Sequence, residues 1–161
     1  RSEKGDATIP PILPTTRHGL RHHTRKMNEM SHDSWATSIF ATTIFAEDLN
    51  AMKEFYRRVF DLPCVFEGET SAVFAFGDTL INIIDIGGAP ELIEPAPVAG
   101  PDTGARCMFT IQVEDVDALY ARLVDKGVTF LNGPIDRPWG PRTAAFADPA
   151  GHMWEIASQA G

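Results

Sequence analysis

Histidine is nearly missing from the body of this chain. Of five, four (His18, His22, His23 and His32) fall within the first 34 residues, and only His152 lies beyond them. Cysteine is as scarce, with Cys64 and Cys107 alone. Two thiols form at most one bridge, and nothing in their spacing asks for it, so the chain reads as one kept reduced, in the cytoplasm. Cys107 opens an apolar stretch and is expected to be a buried small hydrophobe. No apolar run nears the roughly 20 residues that cross a bilayer, and the first residues lack the apolar centre of a secretory signal, so no membrane partner is expected. A positive surplus is absent too: 14 Lys and Arg face 22 Asp and Glu, a formal charge of -8. Nucleic acid is therefore not an expected partner, because it calls for a basic face.

What remains is an ordinary globular composition, 43% hydrophobic and 22% charged over 161 residues, enough for one domain with a real core. Charge is uneven along it. Residues 1–34 hold six basic and four acidic side chains, whereas the rest holds eight against eighteen, or -10. The segment 1–34 has no periodicity and carries Pro10, Pro11 and Pro14. It is read as a disordered or extraneous extension, with Met27 or Met30 as the natural start, ahead of a single domain over 35–161.

That domain says nearly the same thing twice. The run Phe40-Ala41-Thr42-Thr43-Ile44-Phe45-Ala46-Glu47-Asp48-Leu49 is answered by Cys107-Met108-Phe109-Thr110-Ile111-Gln112-Val113-Glu114-Asp115-Val116. Each is a strand-like stretch closed by a Glu-Asp pair and followed by a helical pattern. The first module (38–86) reads as a strand over 38–46, a helix over 50–60 with Met52, Phe55, Tyr56 and Val59 inward, and strands over 64–67, 71–77 and 79–86. The second (106–158) reads as a strand over 107–113 and a helix over 116–125 with Val116, Leu119, Tyr120 and Leu123 inward. Strands near 128–131, 142–147 and 152–158 follow. Residues 87–105, with four glycines and four prolines, read as a linker. The architecture is α+β: two tandem βαβββ modules, neither able to bury its sheet alone.

In this order the motifs resemble the vicinal oxygen chelate superfamily, which includes glyoxalases, extradiol dioxygenases and bleomycin-resistance proteins. The resemblance rests on Glu47-Asp48-Leu49, Phe55-Tyr56 and Val113-Glu114-Asp115-Val116-Asp117. It is strongest over Pro138-Trp139-Gly140-Pro141-Arg142 and Phe146-Ala147-Asp148-Pro149-Ala150-Gly151-His152, completed by Trp154-Glu155-Ile156. It covers roughly 38–158 and implies mixed sheets curled into a cup between modules that pair within one chain or exchange between two. It further implies a homodimer and, in metal-dependent members, ligands at four strand positions. Here those positions are Ala41, Asn82, Met108 and Glu155. Period-two alternation supports the register: Ala41, Thr43 and Phe45, with Met108, Thr110 and Gln112, face the cup, and the intervening residues pack against the helices.

Divalent first-row ions want imidazole and carboxylate donors. Ala41 has none, Met108 a weak thioether and Asn82 a neutral amide, so no metal or other cofactor is expected. The resemblance then shifts toward the bleomycin-resistance type, a cup that binds a small molecule. Candidate ligand-binding residues are Phe45, Asn82, Met108, Gln112, Trp139, Arg142 and Glu155. Phe45 and Trp139 would stack on an apolar ligand, Phe74 and Phe76 either stack or pack, and Arg142 would orient an anionic group. Glu155 is the candidate catalytic residue, since a carboxylate in an apolar cup suits acid–base work. The alternatives are a metal-dependent lyase, isomerase or dioxygenase using Glu155, and a structural dimer whose cup is self-filled. Trp154 is read as core and His152 as a turn residue.

Overall fold

The structure, a computed structural model, describes residues 39–105 and 107–158; the predicted extension lies outside the described residues. In chain order the elements are β1 (Ala41–Ala46), α1 (Leu49–Phe60), β2 (Cys64–Glu67), β3 (Ser71–Phe76), β4 (Thr79–Asp85), α2 (Pro90–Ile93), β5 (Met108–Gln112), α3 (Val116–Asp125), β6 (Phe130–Asp136), β7 (Arg142–Ala147) and β8 (Met153–Ser158). The repeated Glu-Asp pair is a capping device. Asp48 accepts a hydrogen bond from the Ala51 backbone N–H at 2.9 Å, and Asp115 accepts from that of Ala118 at the same distance. Each carboxylate satisfies a donor that the first helical turn leaves free, so strand and helix part at the same step in both modules.

The strands form two four-stranded sheets of identical order, β1-β4-β3-β2 and β5-β8-β7-β6. In each, the first strand runs parallel to the last and the remaining pairs are antiparallel. The expected α+β duplication is therefore present, and the sheets are not closed onto one another. What joins the modules is a layer of helices and aromatic rings between them. Tyr56 of α1 lies 5.2 Å from Phe74 of the first sheet and 5.9 Å from Trp154 of the second, ring to ring. Phe60 lies 4.7 Å from Trp154, and Phe76 stacks on Trp154 at 5.4 Å. Phe74 is fully buried and belongs to the core, whereas Phe76 packs against the same cluster and also lines an apolar cavity of this layer. Trp154 is core as predicted.

At the centre of this layer sits a buried carboxylate, Asp148, 5% exposed. It accepts hydrogen bonds from the Tyr56 hydroxyl (3.1 Å), the Trp154 indole N–H (3.4 Å) and the backbone N–H groups of Ala150 and His152 (3.1 and 2.9 Å). His152 Nδ1 adds a contact at 3.0 Å. The turn reading of His152 thus holds, with a role in fixing the carboxylate. A buried charge is tolerable when this many donors converge on it.

Some local expectations change. The linker contains ordered turns, Ile86–Gly88, α2 and Pro101–Thr103. In two of them proline occupies the first turn, where its missing N–H costs nothing. The strand predicted near 128–131 starts at Phe130 and runs on to Asp136 through Gly133-Pro134. It is an edge strand, and register shifts on both sides of Asn132 absorb the glycine and proline. Gly133 has φ +95°, and a Cβ there would lie 2.6 Å from the Ala144 Cα and Thr143 carbonyl oxygen, so β6 approaches β7 in a way only glycine permits. Cys107 is exposed, not buried, because it precedes the edge strand β5 instead of lying within it. Cys64 is half-buried, and both thiols are unbridged.

Two outcomes test this account. Burial, then the neighbouring Asp148 charge, raises the Tyr56 pKa well above its ordinary 10.0. A raised folded-state pKa means that this contribution is complete below the unfolded value and is lost as pH rises toward the folded one. Tyr56→Phe is expected to cost about 1–2 kcal/mol at neutral pH and to flatten the loss of stability above pH 10.0, read from denaturant unfolding on both sides of that pH. Gly133→Ala is expected to cost about 2 kcal/mol or more, measured in the same way.

Candidate functional site

Strand pairing fixes which side chains share a face. Across the second sheet Thr110, Glu155, Ala145 and Asn132 stand in one row, with Met108 and Met153 in the row to one side and Gln112, Ala157 and Thr143 in the row to the other. This face points away from the helices, because Phe109, Trp154 and Phe146 occupy the opposite one and belong to the core. On the first sheet the corresponding outer row is Thr43, Asn82 and Val73, flanked by Phe45 and Ile84 on one side and Ala41 and Leu80 on the other. The alternation read from the sequence is the one the strands adopt.

The helix faces of the two sheets are packed together, so the outer faces turn in opposite directions. Within one chain Asn82 and Glu155 therefore do not meet, and the four positions of the expected cup are divided between two separate surfaces. Glu155 is half-buried and its Oε1 accepts from the Thr110 hydroxyl at 3.1 Å. Its surroundings are more polar and more open than the apolar cup predicted for it. Asn82 is 3% exposed. Its Nδ2 donates to the Thr43 hydroxyl at 3.3 Å, while its Oδ1 has no hydrogen-bond partner among the described residues. A buried amide oxygen left in this way calls for a donor.

The other candidates scatter. Phe45 lines a cavity of about 270 Å³ with Pro101 of the linker and His152 of the β7–β8 turn. Met108, 49% exposed, shares a shallow cavity of about 420 Å³ with Asn132, Ala145 and Met153 on the outer face of the second sheet. Gln112 is exposed on that face. Trp139 is exposed in the β6–β7 turn, with the Arg137 guanidinium carbon 6.0 Å from its ring centre.

Arg142, expected to meet an anionic ligand, is on the wrong side for that. It pairs across the sheet with Ser158, one residue out of phase with Thr143, and so faces α3. There it donates to both oxygens of Asp117 at 2.6 and 2.8 Å and to Asp136 at 2.8 Å. These bonds hold the Asp117 carboxyl below its ordinary range and raise the guanidinium above its own.

Two features had no clear signal in the sequence. One is Arg137, whose Nε donates to Thr143 Oγ1 at 2.8 Å and whose Nη2 donates to Asn132 Oδ1 at 2.9 Å, on the Glu155 side of the sheet. The other is an apolar cavity of about 680 Å³ inside the helix layer, bordered by Phe60, Ile111, Leu119, Leu123 and Trp154. The helical stripes that line it read as filled core.

The residues at the four metal positions do not fit a tightly held divalent ion. Only Glu155 is a strong donor, the others being an alkyl group, an amide and a thioether. Among the described residues no cluster of three or more His, Cys, Asp or Glu is placed to hold one. Among the same residues no helix is long and apolar enough to cross a membrane.

Comparison with known proteins agrees with this architecture. The family model described as Glyoxalase/Bleomycin resistance protein/Dioxygenase superfamily matches residues 38–156. An uncharacterized protein of Bacillus subtilis (strain 168), YraH, is 32% identical over 118 residues, covering 70% of this chain and 91% of that protein. Among solved structures, a glyoxalase/bleomycin resistance protein/dioxygenase from Nocardioides superposes with a TM-score of 0.71 at 23% identity, over 79% of this chain and 86% of the other. A lactoylglutathione lyase from Agrobacterium tumefaciens superposes with a TM-score of 0.62 at 25% identity, over 76% and 94%. With its duplicated modules, its capping pairs and a family match over most of its length, the chain belongs to the glyoxalase/bleomycin resistance protein/dioxygenase superfamily.

Proposed function

We propose that this protein binds a small organic molecule, without a catalytic metal, at a site formed by the second module of one chain and the first module of another. The observation that carries this reading is the back-to-back packing of the helix faces. It turns the faces of Asn82 and Glu155 apart and leaves β1 and β5 as sheet edges. A second copy that sets its β1 edge beside β5 brings a face bearing Phe45 and Asn82 opposite one bearing Met108, Gln112 and Glu155. A homodimer then holds two such sites, each with one face from either chain. The unpartnered Asn82 Oδ1 supports the reading, since a bound molecule would supply its missing donor.

In that site Met108, Phe45 and the outer side of Trp139 supply apolar surface, and Gln112 and Glu155 supply polar direction. Glu155 is the group able to take a proton, yet its row across the sheet holds only Thr110, Ala145 and Asn132. Among the described residues no imidazole or second carboxylate stands there to complete an acid–base pair, which favours binding over turnover. The two unbridged thiols suit a reduced, cytoplasmic setting.

Light scattering on the purified chain is expected to give a dimer, and elemental analysis far less than one metal ion per chain. Benzamide, a compact neutral probe whose amide N–H can donate to a carboxylate, is expected to raise the melting temperature, and Glu155→Gln to reduce that rise. A monomer, or stoichiometric metal that disappears in Glu155→Gln, overturns the proposal.

A further inference from the structure

The two arginines that flank the β6–β7 turn are in opposite electrostatic states. Arg142 faces α3 and is neutralised by Asp117 and Asp136. Arg137 lies on the outer face, and among the described residues no carboxylate stands within ion-pair distance of it. Its two hydrogen-bond partners are neutral: the hydroxyl of Thr143, 2% exposed, and the amide oxygen of Asn132. They fix the direction of the guanidinium without cancelling its charge. A guanidinium has five N–H donors in a rigid fork. With Nε and Nη2 engaged by neutral acceptors, its remaining N–H groups meet no carboxylate among the described residues.

The surface beside it is shaped to receive something. Asn132 also borders the cavity of about 420 Å³ on this face, whose floor is Ala145 with Met108 and Met153 at its far side. Between the Arg137–Asn132 edge and the Glu155–Gln112 edge lie Ala145, Ala157 and the buried hydroxyl side chain of Thr143. These small side chains keep that span low, across two strand spacings of about 5 Å each. Trp139 stands over the guanidinium at 6.0 Å and walls off one side, an arrangement that orders an arginine.

From these residues we infer that Arg137 is an anion-binding residue of the outer face. The ligand class is a small organic acid, a carboxylate or phosphonate with a compact apolar body. Its charged group meets the guanidinium and its body lies over Ala145 toward Met108. This rests on the reading of that face as a ligand site and adds the charge of the ligand. It also transfers anion recognition from Arg142, where the sequence placed it, to a residue five positions earlier. The protein is acidic as a whole, with a formal charge of -8, so attraction for an anion here is local and depends on this side chain.

The test uses benzoate and phenylphosphonate as anionic probes and benzamide as the neutral analogue of similar shape, titrated into the full chain by calorimetry. The arginine Nε–H signals are followed by NMR in parallel. Both anions are expected to bind more tightly than benzamide and to move the Arg137 signal, identified by its loss in Arg137→Gln. That variant is expected to weaken the anions about tenfold or more, the scale of one charge-assisted bond, while leaving benzamide unchanged. Arg137→Lys should restore part of the affinity, and Arg122→Gln, an exposed cation on α3, should change nothing. Anion affinity that persists in Arg137→Gln, or an Arg137 signal that does not move in the wild type, overturns the inference. If benzamide still binds in that case, the face remains a ligand site of another charge preference. If none of the three probes binds, both the inference and the ligand face fall.

Discussion

The Asp148 carboxylate and the Tyr56 hydroxyl hold this molecule to one arrangement. A carboxylate taken out of water must be met by donors, and those that meet Asp148 come from three places: α1, the β7–β8 turn and the inner face of β8. Tyr56 is buried against the first sheet through Phe74 and bonded to the second module through Asp148. One side chain thus ties α1 to both sheets. The direction of every outward residue follows from that tie, because strand alternation leaves no choice once the inner face is set.

That constraint explains why the ligand faces diverge. A βαβββ module has an apolar side and a polar side, and the apolar side can be covered either by its own helix alone or by the helix plus a neighbour. Here the rings of Phe60, Phe76 and Trp154 interlock across the middle. Burial of three large aromatic side chains contributes several kcal/mol, more than any contact visible on the outer faces. The polar row Thr110–Glu155 and the amide of Asn82 are what that choice leaves on the outside.

Much of this was legible in the chain itself. The duplication, the two long helices and the parity of Ala41, Thr43, Met108 and Gln112 all follow from repeat and period. Those features depend on neighbours within a few residues. The relation between the two modules was not legible, because no local pattern says whether a sheet packs by its inner or outer side onto another sheet. Arg142 and Arg137 make the same point at the scale of one residue. Arg142 sits in the recognisable Trp-Gly-Pro-Arg run and drew the functional reading, yet its partner Asp117 is 25 positions away. Arg137 sits just before that run, and the bulge at Gly133, the burial of Thr143 and the position of Asn132 together give it its direction. A β-bulge of this kind is set by the pairing of β6 with β7 and leaves only a Gly-Pro pair to be read. Cys107 departs from expectation for a simpler reason: an apolar stretch need not be a central strand.

The bond between Tyr56 and Asp148 spans 92 positions of the chain, and Trp154 is farther still. During synthesis α1 leaves the ribosome several seconds before the turn that carries Asp148, at typical elongation rates of about 5–20 residues per second. Through that interval the first module can pair its strands, but one side of α1 and the ring of Phe76 have nothing to cover them. Closing so long a loop is slow compared with forming a helix or hairpin. A nascent first half therefore presents an aromatic surface of the kind that chaperones hold and that aggregation exploits, and only the last two strands withdraw it.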